Sequence, residues 1–405
     1  MQTVHQHPCD SAFVQDPYAT YRQWRHEPLL WWADYGMPVS ARFEVVNTLL
    51  RDKRFGREAP SGCVPERPAH LKPFYDFESR SMLEREPPTH TRLRSLVLRA
   101  FTSRRIEALE GEVLSLAHQL IDVFPDGPFD LLPALAERVP VVVIARMIGV
   151  PESMAPQLLQ WSHDMVGMYQ AKRDRAMEDR AVAATLAFAA YIRSLAEARR
   201  SAPGHDLISE LLAAEADGEK LSMDELITTV VLLLNAGHEA TVHAIGNGIK
   251  TLLEHDAWAA LNADTLDGMV EETLRFDPPL HLFTRYAMED VEVFGHPFQR
   301  GEQVGLLLGA ANRDPAVWPE PDRFDPNRPV RNHASFGAGL HFCIGAPLAR
   351  LELRAVFTAL RERCPGLRLE GPAHYADRYH FHGLESLWVS VNQTAAHQTQ
   401  KAGVR

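Results

Sequence analysis

Ser335-Phe336-Gly337-Ala338-Gly339-Leu340-His341-Phe342-Cys343-Ile344-Gly345-Ala346-Pro347 is the stretch on which the reading of this 405-residue chain turns. Residues 348–363 repeat apolar side chains at spacings of three and four and stop before Cys364-Pro365-Gly366, so the pattern predicts a helix there. Cys343 therefore stands at a helix N-terminus, where unpaired N–H groups and the helix dipole favour a thiolate over a thiol. Gly337 and Gly339 permit a tight loop whose backbone can pass close to a flat group, and Gly345 keeps the first helical turn clear of it. N–H groups aimed at the sulfur would tune a metal held by it. Cys9, Cys63 and Cys364 are far apart and lack a C-x-x-C spacing, so they read as inert thiols and no disulfide framework is expected.

Outward from this segment, helical periodicity dominates. Residues 104–123, 134–148, 180–199, 222–253 and 264–276 carry apolar side chains three and four apart. Strand patterns are few: 290–298 and 303–308 read as a hairpin, and 384–391 as a strand near the end. Two Pro-rich loops, 59–73 and 314–329, read as packed or functional, and 393–405 reads as a disordered tail. The expected class is mainly α with a small β lobe.

Composition narrows the function. A net charge of −11 argues against a broad nucleic-acid face, and 45% hydrophobic residues can build a large core. The N-terminal residues have no basic start followed by an apolar run, so neither a signal peptide nor a membrane anchor is expected, and the cytoplasm is the default compartment. By length alone the chain could hold two or three domains.

Three further segments carry chemistry. In Glu272-Thr273-Leu274-Arg275 an acid and a base one turn apart can pair on one helix face. In Pro87-Pro88-Thr89-His90-Thr91-Arg92-Leu93-Arg94, His90 and Arg94 share a face from which Arg92 points away. In Leu232-Leu233-Leu234-Asn235-Ala236-Gly237-His238-Glu239-Ala240-Thr241-Val242-His243, the two histidines are five apart. At about 100° per residue they diverge by roughly 140°, so they do not form the two-histidine zinc face of a metalloprotease.

The pattern F-G-x-G-x-H-x-C-x-G over Phe336, Gly337, Gly339, His341, Cys343 and Gly345 resembles the haem-binding signature of the cytochromes P450. The resemblance spans residues 87–387 and implies one domain, 1–405, folded as a helix-rich triangular prism with a small sheet lobe. It implies haem b with Cys343 as the axial thiolate, Phe336 beside the sulfur, and His90, Arg94, Arg285 and His341 toward the propionates. Glu272 and Arg275 would lock onto Arg323 in the Pro-rich loop. Ala236 and Gly237 would open the dioxygen groove of the long helix, with Glu239 delivering protons. The family's alcohol position is occupied by Ala240, and the hydroxyl of Thr241 falls one residue late, so an ordered water or a substrate group would complete the relay. Leu233, Leu280, His281, Leu282, Phe283, Phe381 and His382 would wall the substrate pocket. Electrons would come from a separate ferredoxin or flavodoxin with its NAD(P)H-dependent reductase, docked on Arg99, Arg104, Arg105, Arg350 and Arg354. The expected reaction is O2-dependent hydroxylation or oxidative demethylation of a small, largely apolar molecule. A peroxide-using enzyme or a non-catalytic haem-thiolate ligand-binding protein is the alternative.

Overall fold

Ser222 starts the longest helix of the described residues. Its Oγ accepts from the Glu225 N–H (3.2 Å) while the Glu225 carboxylate accepts from the Ser222 N–H (2.9 Å), a complete capping box. The helix that follows, Met223–Glu254, runs 32 residues and is called the central helix below. The computed structural model describes residues 1–214, 218–329 and 332–391, and the 393–405 tail lies outside them.

Several of the other long helices pack along this axis. The helix Ala346–Arg363 seats Phe357 against Gly248: a Cβ there would stand 2.7 Å from the ring, so glycine sets the closeness of the two helices. Arg138–Ile148, Ala155–Val166 and Arg175–Ser201 pack along it as well. Arg175–Ser201 is long and apolar enough to cross a membrane, yet it buries a stripe through Ala181, Ala184, Phe188, Ile192 and Ala196 in the core.

The helix-rich expectation with a small β lobe is met, with local departures. The run 104–123 is two helices, Ser103–Ala108 and Glu110–Asp122, broken at Leu109. Residues 290–298 are themselves the hairpin, Val291–Val293 with His296–Phe298, turned through Phe294 (φ 52°) and Gly295 (φ 74°). The strand Gln303–Leu307 pairs instead with Leu282–Ala287, whose first two residues are among those expected to wall the substrate pocket. Those two strands sit inside a six-stranded sheet in the order Thr3–Val4, Leu30–Trp32, Met37–Ser40, Gln303–Leu307, Leu282–Ala287, Phe55–Gly56. Residues 384–391 divide into Leu384–Ser386 and Trp388–Val391, which pair with different partners.

Candidate active site

The cysteine loop is held by backbone. Gly337 and Gly339 have φ of +68° and +69°, and a Cβ on Gly339 would lie 2.4 Å from the Leu50 carbonyl oxygen, so only glycine fits. The Cys343 N–H donates to the Phe336 carbonyl (3.0 Å), and the N–H groups of Gly345 and Ala346 donate to the sulfur. Contrary to the thiolate preference read from the sequence, burial pushes this thiol up, and the two N–H groups, Arg94 and Arg350 only partly offset it. A cation at the sulfur is what would ionise it. Cys364 is a different case: it caps the carbonyl end of Ala346–Arg363, lies in the core, and burial pushes its thiol up to about 11.

The residues expected at the propionates converge on the side of that loop. Arg94, on the helix Thr89–Ala100, donates to the Phe342 carbonyl (2.8 Å). His90 is buried on the same helix, its ring 4.4 Å from that of His341, and its Nδ1 has no hydrogen-bond partner among the described residues. Arg92 leaves this face, as expected, and pairs with Glu225 and Glu219. Arg285, on Leu282–Ala287, is 2% exposed, donates to the carbonyl of Thr284 (2.9 Å), and has no carboxylate at ion-pair distance among the described residues. Burial and neighbouring Arg57 bring its guanidinium down to about 9. A buried cation and an orphaned imidazole nitrogen facing one region fit an anionic group such as a haem carboxylate. Glu86, absent from the sequence expectations, already holds His341 Nε2–H (2.8 Å) and the Arg57 N–H (2.6 Å). Its signal was its place directly before Pro87-Pro88.

On the central helix, Ala236, Gly237 and Ala240 are accessible, while their neighbours Leu234, His238, Glu239 and Thr241 are buried. A stripe of small residues opening midway along a core helix is what a flat cofactor and a diatomic ligand need. Thr241 lies off that stripe, as the helical turn requires. Glu239 also points away from it: Ser162 Oγ donates to Oε1 (3.2 Å), and His163 Nε2 and His238 Nδ1 lie 3.3 and 3.6 Å from the same oxygen. Burial raises this carboxylate, but the imidazoles of His238, His163 and His243 outweigh it and bring it down to about 2.

The pair Glu272–Arg275 is buried at 2.7 Å, and Arg275 donates to the carbonyls of Asn312 and Pro321 (2.9 Å each). The expected third member is wrong. Arg323 is exposed, pairs with Glu320 and Asp325, and offers Arg275 only its carbonyl (3.4 Å). Arg328 takes the place instead, its Nε 3.1 Å from Glu272 Oε1 and its Nη2 on the carbonyls of Glu320 (2.6 Å) and Arg323 (2.8 Å). A second arginine five residues on in the same loop was the available signal.

Two of the proposed pocket residues are placed otherwise. His281 and His382 are core histidines: the Tyr21 hydroxyl and His281 Nδ1 share a hydrogen bond (2.9 Å), and His382 stacks on Tyr375 beside Asp277. Leu282 and Leu233 are likewise buried, and the neighbouring Leu232 is the more accessible. Phe283 sits by Gly337, its ring 3.2 Å from where a Cβ would be. Leu280 and Phe381 remain partly accessible, bridged to each other, with Phe381 facing His243 of the central helix. Of the five arginines expected to receive a donor, Arg105, Arg350 and Arg354 are paired with Glu210, Glu271 and Asp267. Behind the cysteine loop lies a groove of about 540 Å³ lined by Phe43, Leu50, Phe336, Gly337, Phe342 and Arg350 among others.

Residues 262–364, which contain both the Glu272–Arg275 pair and Cys343, match the family model for cytochrome P450. The chain is 38% identical over 379 residues to cytochrome P450 monooxygenase PikC of Streptomyces venezuelae, covering 88% of this chain and 86% of the relative. The chain belongs to the cytochrome P450 family. Within it, the polyketide biosynthesis cytochrome P450 PksS of Bacillus subtilis is 34% identical across 97% of this chain and its own whole length. The structure of P450BioI in complex with hexadec-9Z-enoic acid ligated acyl carrier protein superposes with a TM-score of 0.88 at 34% identity, covering 94% of this chain and 99% of that one. As a cytochrome P450 the protein is a haem-thiolate monooxygenase, an oxidoreductase whose prosthetic group is held by a cysteine.

Proposed function

We propose that this cytochrome P450 works as one domain, residues 1–405, which takes electrons from a separate ferredoxin or flavodoxin and inserts one oxygen atom of O2 into a small, largely apolar molecule. Hydroxylation and oxidative demethylation are the usual outcomes of this chemistry. The observation that supports the reading most is the Cys343 sulfur receiving the N–H groups of Gly345 and Ala346, in a chain whose central helix carries the accessible small residues Ala236, Gly237 and Ala240. Cys343 is the proposed iron ligand. His90, Arg94, Arg285 and His341 are the proposed holders of the propionates, with Glu86 orienting His341. The haem, when bound, supplies dioxygen activation. The chain supplies two N–H groups that stabilise the sulfur's charge, a wall of small side chains that leaves room for a diatomic molecule, and Glu239, ionised and turned toward Ser162, as a transfer station of the proton relay behind that wall.

The donor would dock on the groove behind the cysteine loop, between exposed Leu98, Leu340 and Phe342, steered chiefly by Arg99 and Arg104. PksS is named for polyketide biosynthesis, 6-deoxyerythronolide B hydroxylase, 37% identical over 384 residues, for hydroxylation of that compound, and P450BioI is seen with an acyl carrier protein, so polyketide and acyl substrates head the screen. The test is spectroscopic and then catalytic. Reduced protein under carbon monoxide should show the red-shifted Soret band of thiolate-bound haem, Cys343→His should lose it, and Cys364→Ala should keep it. Turnover should require NAD(P)H, reductase and ferredoxin. Equal product from peroxide alone would instead favour a peroxide-using enzyme, the reading that Ala240 at the alcohol position keeps open.

A further inference from the structure

The two histidines of the central helix do not share a metal face, yet one of them meets a third histidine that is 75 residues away in sequence. His238 is 1% exposed and neither of its ring nitrogens has a hydrogen-bond partner among the described residues. Its Nδ1 lies 3.6 Å from Glu239 Oε1, and His163 Nε2 lies 3.3 Å from that same oxygen. All three ligand atoms fall within 4.8 Å of one another. These separations are too long for good hydrogen bonds. The shorter matches, and the longer lies just beyond, the edge of a tetrahedral coordination shell, about 3.3–3.5 Å for metal–ligand bonds of about 2.0–2.1 Å.

We propose that His163, His238 and Glu239 form a binding site for a divalent cation of the Zn2+ type, clamped between the helix Ala155–Val166 and the central helix. Two imidazoles and one carboxylate are the donor set such an ion takes, with a fourth position left for water. Ser162 Oγ, already bonded to Glu239 Oε1 at 3.2 Å, orients the carboxylate from outside the shell. Glu137 adds negative charge nearby, since it interacts electrostatically with both His163 and His238. His163 is 46% exposed, which gives the ion a route in from solvent. The other cluster of comparable spacing, Asp277, His281 and His382, is wholly enclosed, and the Tyr18 and Tyr375 hydroxyls already donate to its carboxylate.

The consequence rests on Glu239 serving the proton relay: a bound cation would pin that carboxylate and block turnover. Holoenzyme titrated with Zn2+ against a chelating dye should bind one ion that His163→Gln, a surface variant, binds at least about 100-fold more weakly. Zinc-edge X-ray absorption, which the haem iron does not mask, should show two imidazoles in the wild-type shell. Monooxygenase turnover at saturating Zn2+ should fall at least about tenfold relative to the metal-free rate in wild type and stay level in His163→Gln. Equal zinc binding by both proteins, or a zinc shell without imidazole, overturns the site. Zinc held by two imidazoles with unchanged turnover supports the site and instead removes Glu239 from the relay.

Discussion

At the residue scale the most consequential position is Ala240, because it stands on the accessible stripe where a hydroxyl would serve proton delivery. Thr241, one residue on, is buried about 100° around the helix. Thr241→Ala should therefore change the ratio of product to NAD(P)H consumed by less than about twofold. Ala240→Thr should raise that ratio with poorly matched substrates and release less peroxide. Glu239→Gln should slow turnover by about 10²-fold, the lower end of what a positioned proton-transfer group contributes. Loss of coupling in Thr241→Ala alone would move the helix register by one residue and sink the assignment. The sequence made this register legible because helical geometry is periodic. It could not show that Glu239 turns from the stripe toward Ser162 and His163, since that depends on where a second helix lands.

At the scale of elements, the Pro-rich loop and the helix Leu266–Phe276 form one unit through Glu272, Arg275 and Arg328. Without Arg328, Glu272 keeps Arg275 but loses a charged hydrogen bond at 3.1 Å, and the carbonyls of Glu320 and Arg323 lose a donor. A hydrogen bond to a charged group contributes about 1.5–3 kcal/mol, whereas an exposed pair contributes about 0–1 kcal/mol. Arg328→Ala should thus lower the melting temperature by several degrees and reduce haem content, while Arg323→Ala should leave both unchanged. Identical behaviour of the two variants in thermal melts and haem assays would contradict the exchange of roles described here. The helices were legible from periodicity, and the Glu272–Arg275 pair from spacing, because both are local. The partner was misread as Arg323, since two arginines in one irregular loop carry no periodic cue as to which side chain turns inward. The strand Leu282–Ala287 was missed for a similar reason: it is central to its sheet, and Arg285 interrupts its apolar pattern.

For the molecule as a whole, pH should act through buried imidazoles. Burial brings His243 and His380 down to about 4, so the unfolded chain takes up those protons first as acid is added. Their contribution is complete above about pH 6.5 and is lost as the pH falls toward about 4. Glu78, which burial raises to about 7, acts in the opposite sense, gaining stability as the pH drops from about 7 to 4.5. Burial likewise lowers His90, His255 and His281 and raises Glu137 and Glu352. With five such histidines against three such carboxylates, the melting temperature should fall by several degrees between pH 7.5 and 5, and His380→Gln should flatten that slope. A melting temperature that rises on acidification would reverse the balance. Chain order has a further consequence for how the protein is made. In the parallel pairing of Met37–Ser40 with Gln303–Leu307, Val39 meets Gly305, 266 positions later. At a synthesis rate of about 5–20 residues per second, the first strands leave the ribosome roughly 13–50 s before their neighbour exists. During that interval Thr3–Val4, Leu30–Trp32 and Met37–Ser40 can pair only with one another and the edge at Val39 stays open, so the nascent N-terminal segment is where chaperone binding should be found, and ribosome-bound chains stopped short of Gly305 should be its strongest clients.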